Sequence, residues 1–148
     1  VLTQPRDPKK LLTDAAKMRS DMAAHKPPKG PLDVKLAPGG LVDLEFLTHV
    51  SQLASGKGLT PYLGPAIAQL SRAGLVSEAM VGAHALLTRT LVAVRLMAPS
   101  LAIPDNVTQP VIARACGTKD WSDLLAQIDG VRQSVAREWG AILATKGV

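Results

Sequence analysis

The sequence predicts an all-α fold, an antiparallel bundle of about five to six helices, and three observations carry that expectation. Apolar residues recur at three- and four-residue steps through long stretches. With one Phe, one Tyr and two Trp, the core must be built from Leu, Ala, Val, Ile and Met, a mixture that favours helices over aromatic-rich sheets. Glycine and proline clusters leave short loops between the periodic stretches, and no repeat of fixed period suggests a solenoid. At 148 residues and 47% hydrophobic, one domain is the expected count.

The first helix is expected over Leu11–Ala24, where Leu11, Leu12, Ala15, Met18 and Met22 keep to one side. The run Lys26-Pro-Pro-Lys-Gly-Pro31 must break it, because proline removes a donor and restricts the residue before it. Residues 32–36 alternate apolar and charged side chains and read as a short extended arm. A second helix is expected over Leu41–Ala54, opening at Gly39-Gly40 and ending at Ser55-Gly-Lys-Gly58. Thr60 and Pro61 read as the N-cap and first residue of a third helix, running to about Ala73 with Gly74 closing it. Ser77 can cap a long central helix with Met80, Ala83, His84, Leu87, Leu91, Val94 and Met97 as its apolar stripe, ending at Pro99. Pro104 and Pro110 leave room for a short helix around Val111–Ala115. From Trp121 onward, Leu124, Ile128, Val131, Val135, Trp139 and Ile142 mark a last helix packed along the central one.

Val1–Lys10 is polar and lacks the marks of a signal peptide, so it reads as a segment or linker from an upstream domain, with a single helical domain over 11–148. No run approaches the roughly 20 apolar residues of a membrane span, since Arg72, Glu78, His84, Arg89 and Arg95 interrupt the candidates. The single Cys116 excludes an internal disulfide and a cysteine metal cluster, and fits a reducing cytoplasm. It reads as a small buried hydrophobe. A net charge of +5 permits a polyanionic partner, with a local enrichment at Lys9, Lys10, Lys17, Arg19, Lys26, Lys29 and Lys35. No aromatic residues interleave there to stack bases.

The block Leu32-Asp-Val-Lys-Leu-Ala-Pro-Gly-Gly-Leu-Val-Asp-Leu-Glu-Phe46 is the most unusual stretch. Glycines before a helix allow close backbone approach and leave free N–H groups where a phosphate or carboxylate can be held, with Lys35 adding a point charge. Asp43 lies in the first turn, where it meets the positive end of the helix dipole. Asp43 and Glu45 lie about 200° apart around a helix and cannot share one metal ion from it. Glu45 and His49, four apart, supply two ligands where three or four are usual. His25 beside the proline-rich loop and His84 on an apolar stripe suggest no catalytic role. No Walker-type phosphate loop and no nucleophile elbow occurs in the chain.

Lys17-Met-Arg-Ser-Asp-Met22, Asp33-Val-Lys35, Gly39-Gly-Leu-Val-Asp-Leu-Glu-Phe46 and Leu70-Ser-Arg-Ala-Gly-Leu75 together resemble the C-terminal part of the bifunctional glutamine synthetase adenylyltransferase/adenylyl-removing enzymes. The likeness spans nearly the whole chain and is strongest from Met18 to Phe46. It implies a helical domain following a nucleotidyltransferase domain, in an enzyme that transfers AMP from ATP to a tyrosine of glutamine synthetase with Mg²⁺, under the PII signalling protein. The Val-Asp-Leu-Glu variant resembles the family's C-terminal copy, whose N-terminal counterpart has Arg-Glu-Ile-Glu. The family's Gly-Ser pair followed by Asp-x-Asp is absent from this chain, so the resemblance implies a catalytic core elsewhere in the parent, and no catalytic or metal-binding residue here. Carried over residue by residue, Arg19, Lys35, Gly39, Gly40, Asp43 and Glu45 match the family's recurrent positions at the domain junction. Arg19 and Lys35 are expected to face nucleotide phosphates, and Asp43 and Glu45 to fix the arm or a basic partner. The alternative is a tight Gly-Gly turn with Lys35 paired to Asp43. Where relatives show Asp-Asn, this chain has Gly64-Pro65. The competing functions are a stand-alone basic module for nucleic acid and a small metal-dependent hydrolase using Glu45 and His49.

Overall fold

A computed structural model describes residue 4 and residues 6–145. Six helices form, and no strand occurs among the described residues: α1 (Pro8–His25), α2 (Leu41–Ser55), α3 (Leu63–Arg72), α4 (Ala79–Met97), α5 (Thr108–Ala115) and α6 (Trp121–Ala144). The fold is all-α, as the periodicity predicts.

Helix α1 begins three residues earlier than expected. The Asp7 carboxylate accepts from Lys9 N–H at 3.0 Å and Pro8 takes the first helical position, where its missing donor costs nothing. The rest of the expected linker, residues 1–3 and 5, lies outside the described residues, as do 146–148 at the other end.

The extended arm at 32–36 is not extended. The segment folds into successive turns, with Val34 N–H donating to Leu32 C=O at 2.9 Å and Ala37 N–H to Asp33 C=O at 3.1 Å. Alternation survives for a different reason: Leu32 and Val34 drop into the core while the buried Asp33 carboxylate accepts from Lys29 N–H (3.0 Å), Lys35 N–H (3.2 Å) and Leu36 N–H (2.9 Å). A single carboxylate replaces the partner strand.

Two caps also move. Helix α3 starts at Leu63, because Gly58 (φ 64°) and the Gln52 amide, which donates to Gly58 C=O at 2.5 Å and Thr60 C=O at 3.4 Å, hold 58–60 in a loop against α2. Pro65 then falls in the first turn, where no helical N–H is needed. Ser77 does not cap α4, whose N-cap is Glu78. Its N–H and hydroxyl both donate to the Glu138 carboxylate of α6, at 2.7 and 2.5 Å. Helix α5 starts at Thr108 because the Asp105 carboxylate accepts from Thr108 N–H at 2.8 Å and Pro110 also lies in a first turn.

The core has two apolar clusters. One gathers Leu32, Val34, the C-terminal half of α4, Ile112 and Ala113 of α5, and Leu124 and Ile128 of α6. The other gathers Leu12, Leu44, Leu47, Ile67, Leu70, Met80, Ala83, Val135 and Trp139. The first half of α6 therefore meets the second half of α4 and the reverse, so the two run antiparallel as expected, and Val131 packs against both clusters. By length and composition α4 is long and apolar enough to cross a bilayer, contrary to the expectation from its interrupting charges. In the fold α2, α3, α5 and α6 pack against it.

Candidate functional site

The Gly39-Gly40 turn, α2 and α1 meet at a buried ion pair. The Arg19 guanidinium donates through Nε to one oxygen of Asp43 and through Nη2 to Leu36 C=O at 3.4 Å. The other Asp43 oxygen accepts from Gly39 N–H at 2.6 Å. Both side chains are buried, so each charge depends on the other. Asp43 thus finds its basic partner in Arg19, not in Lys35.

The glycines are required by packing as well as by torsion. Gly39 has φ 73°, and a Cβ there would lie 1.9 Å from Arg132 C=O of α6. A Cβ on Gly40 would lie 2.4 Å from Val34 C=O. Arg132 Nε in turn donates to Pro38 C=O at 3.0 Å, a contact 94 positions apart that no local pattern reveals. The expectation of free donors at the start of α2 is overturned. Leu41 N–H is taken by Val34 C=O (2.9 Å), Val42 N–H by Lys35 C=O (3.1 Å) and Gly39 N–H by Asp43. The first two donors of α2 and the Gly39 N–H are thus taken by the chain's own carbonyls and carboxylate.

The six expected residues therefore separate into three places. Arg19, Gly39, Gly40 and Asp43 form the lock. Lys35 is held beside it by its backbone and lines a cavity of about 320 Å³ together with Met22, Lys26, Lys29, Leu36 and Arg95. Glu45 lines a different, mostly apolar hollow of about 420 Å³ between α1 and α2, with Leu11, Met18, Phe46, His49 and Leu53. Lys26 and Lys29 belonged to the visible basic enrichment, whereas Arg95, distant in sequence, gave no signal.

Among the described residues no three His, Cys, Asp or Glu side chains gather to hold a metal ion. His49 Nδ1 lies 3.0 Å from the Gln52 side-chain oxygen, so the Glu45–His49 pair gains no third ligand. The Mg²⁺ that the resemblance implies is expected in the parent's catalytic core, and the described residues gather no carboxylate set to hold one here. Burial lowers the pKa of His84, whose ring packs against Gly64. Burial raises that of Cys116, with Thr90 and Arg89 partly opposing it. Cys116 is buried in the first cluster, its Sγ 3.7 Å from Thr90 Oγ1, a packed thiol as expected.

A family model described as GlnD PII-uridylyltransferase matches residues 13–143. The chain belongs to that family. Relatives named bifunctional glutamine synthetase adenylyltransferase/adenylyl-removing enzyme align along nearly all of this chain: 29% identity over 160 residues in Rhizobium meliloti strain 1021, covering 97% of this chain and 16% of that protein, and 31% over 154 residues in Bradyrhizobium diazoefficiens, covering 97% and 16%. The Brucella suis protein of the same name is 46% identical over 61 residues, 41% of this chain and 6% of that protein. The chain thus spans at most about a sixth of these relatives' length. The resemblance drawn from Arg19 to Leu75 is the one these alignments report.

Proposed function

We propose that this chain is a helical accessory and regulatory domain of an enzyme that transfers AMP from ATP to a tyrosine of glutamine synthetase. The observation that carries the reading is the alignment of nearly the whole domain with adenylyltransferases of that name. Two features support the accessory role. The lock of Arg19, Asp43 and Gly39 ties the turn before α2 to α1, and the described residues offer no carboxylate set for two-metal phosphoryl transfer.

In this reading a neighbouring nucleotidyltransferase domain holds Mg²⁺ and ATP, the parent acts in the cytoplasm, and PII controls it. Arg19 is spent on Asp43 and Leu36, so the nucleotide-facing role falls to Lys35. Glu45 and the apolar hollow beside Met18 and Phe46 face the neighbouring domain. Glutamine synthetase, Mg-ATP and radiolabelled AMP incorporation provide the test, using the chain alone and joined to a preceding nucleotidyltransferase domain. Only the joined protein should transfer AMP, and Lys35→Ala should slow it. Turnover by the chain alone, or by neither, would reject the reading.

A further inference from the structure

The cavity around Lys35 is built from four separate segments. Lys26 follows the last turn of α1, Lys29 lies in the proline-rich loop, Lys35 in the turns before α2, and Arg95 in the last turn of α4. Met22, Leu36, Leu91, Pro99 and Leu101 supply apolar walls. The only lining carboxylate, Asp33, is engaged by the backbone N–H groups of Lys29, Lys35 and Leu36. Among the described residues the ion pairs are Lys17–Asp21 and Arg19–Asp43, so the four cations share one hollow with no carboxylate paired to any of them.

A cation at a helix C-terminus is favoured by the dipole, which accounts for Lys26 and Arg95 singly. It does not account for Lys29 and Lys35, which lie outside the helices and line the same cavity. The walls are also braced. Leu101 holds a left-handed φ of 62°, rare for a side chain of its kind, and its carbonyl accepts from Leu32 N–H at 3.2 Å. Gly30 permits this approach, since a Cβ there would lie 2.5 Å from Leu101 O. The lock contributes as well, because Arg19 bonds the carbonyl of Leu36, next to Lys35.

We propose that this cleft binds a compact oligophosphate, either free or as the phosphate tail of a nucleotide. Three lysines and an arginine can surround the several charges of a triphosphate, with Arg95 offering paired donors. A volume of about 320 Å³ falls at the small end of small-molecule sites, and an extended polyanion would be met by an open stripe of charge instead. The apolar walls would take the base of a nucleotide. The site deepens the nucleotide-facing role given to Lys35 above and rests on that reading, while its binding test uses this chain's own residues alone.

The test is calorimetric titration of the 148-residue chain with inorganic triphosphate, ATP, AMP, inorganic phosphate and a single-stranded oligonucleotide, at low and at about 0.15 M salt. Triphosphate and ATP should bind at least tenfold more tightly than inorganic phosphate and AMP, and weaken with salt. Equal affinities for triphosphate and ATP assign the free tail as sufficient; tighter ATP adds the apolar walls. Lys29→Ala with Lys35→Ala, and separately Arg95→Ala, should each weaken triphosphate at least tenfold with the circular dichroism unchanged, while Lys17→Ala has no effect. Triphosphate binding that is absent below about a millimolar, survives both changes, or is weaker than that of the oligonucleotide overturns the proposal. Binding by the chain alone and AMP transfer by the joined protein are separate readouts, so either can fail while the other stands.

Discussion

Arg19 and Asp43 lie 24 positions apart and are both buried, and the physics of that pair sets the sharpest residue-level expectation. Removing one partner leaves the other's charge uncompensated in a low-dielectric interior, which costs about 3–5 kcal/mol. Asp43→Ala also orphans Gly39 N–H. Urea denaturation should show a loss of that order for Asp43→Ala; a midpoint near the unchanged protein's would mean that water replaces the pair. His84 offers a second expectation. Partial burial lowers its pKa below 6.5 in the fold. The unfolded chain therefore binds more protons between that value and the lowered one, and stability falls as pH falls through this window. The urea midpoint should drop between pH 7 and pH 5.5, and the drop should shrink in His84→Gln. An identical drop in that variant would assign it to other groups.

At the scale of elements, the turn before α2 shows why two left-handed glycines are not equivalent. Gly39 and Gly74 have nearly the same torsion, φ 73° and 72°, but a Cβ on Gly39 strikes the α6 backbone and one on Gly74 meets nothing within 4 Å. Gly74→Ala should cost only the left-handed penalty, roughly 1–2 kcal/mol. Gly39→Ala adds a clash that only displacement of α2 from α6 relieves, so its loss should be clearly larger. Paired thermal melts give the comparison, and equal losses would show that the α2–α6 approach is soft. The same turn occupies the start of α2: the 32–36 turns present Val34 and Lys35 carbonyls to its first two donors, satisfying groups a helix start leaves open.

Across the whole molecule, α4 and α6 thread both core clusters and Val131 touches each. One end cannot lose its packing without uncovering apolar surface on helices that serve the other. Trp121 packs against the first cluster, and Trp139, in the second, has its ring 6.0 Å from that of Phe46. Unfolding followed through each tryptophan alone, in Trp121→Phe and Trp139→Phe, should track circular dichroism with coincident midpoints in each protein. Separated transitions would mean that the clusters are independent units.

Helix number and type, most buried positions and the short loops were legible in this sequence, because a 3.6-residue apolar period and glycine or proline breaks are local signals. The family was legible too, through the block from Arg19 to Glu45. Helix starts were read less well: Ser77 is drawn to Glu138 and residues 58–60 to Gln52, partners 61 and 6 to 8 positions away that outbid local capping. Residues 32–36 alternate like a strand, yet with no neighbouring strand to pair with, Asp33 gathers the backbone donors into turns. The sequence by itself determined an all-α chain with Arg19, Asp43 and two glycines in a meaningful order. Only the tertiary structure decided that Arg19 turns inward, that Gly39 is pressed on Arg132, and that Arg95 joins three lysines around one cavity, because each depends on helices far apart in sequence packing side by side.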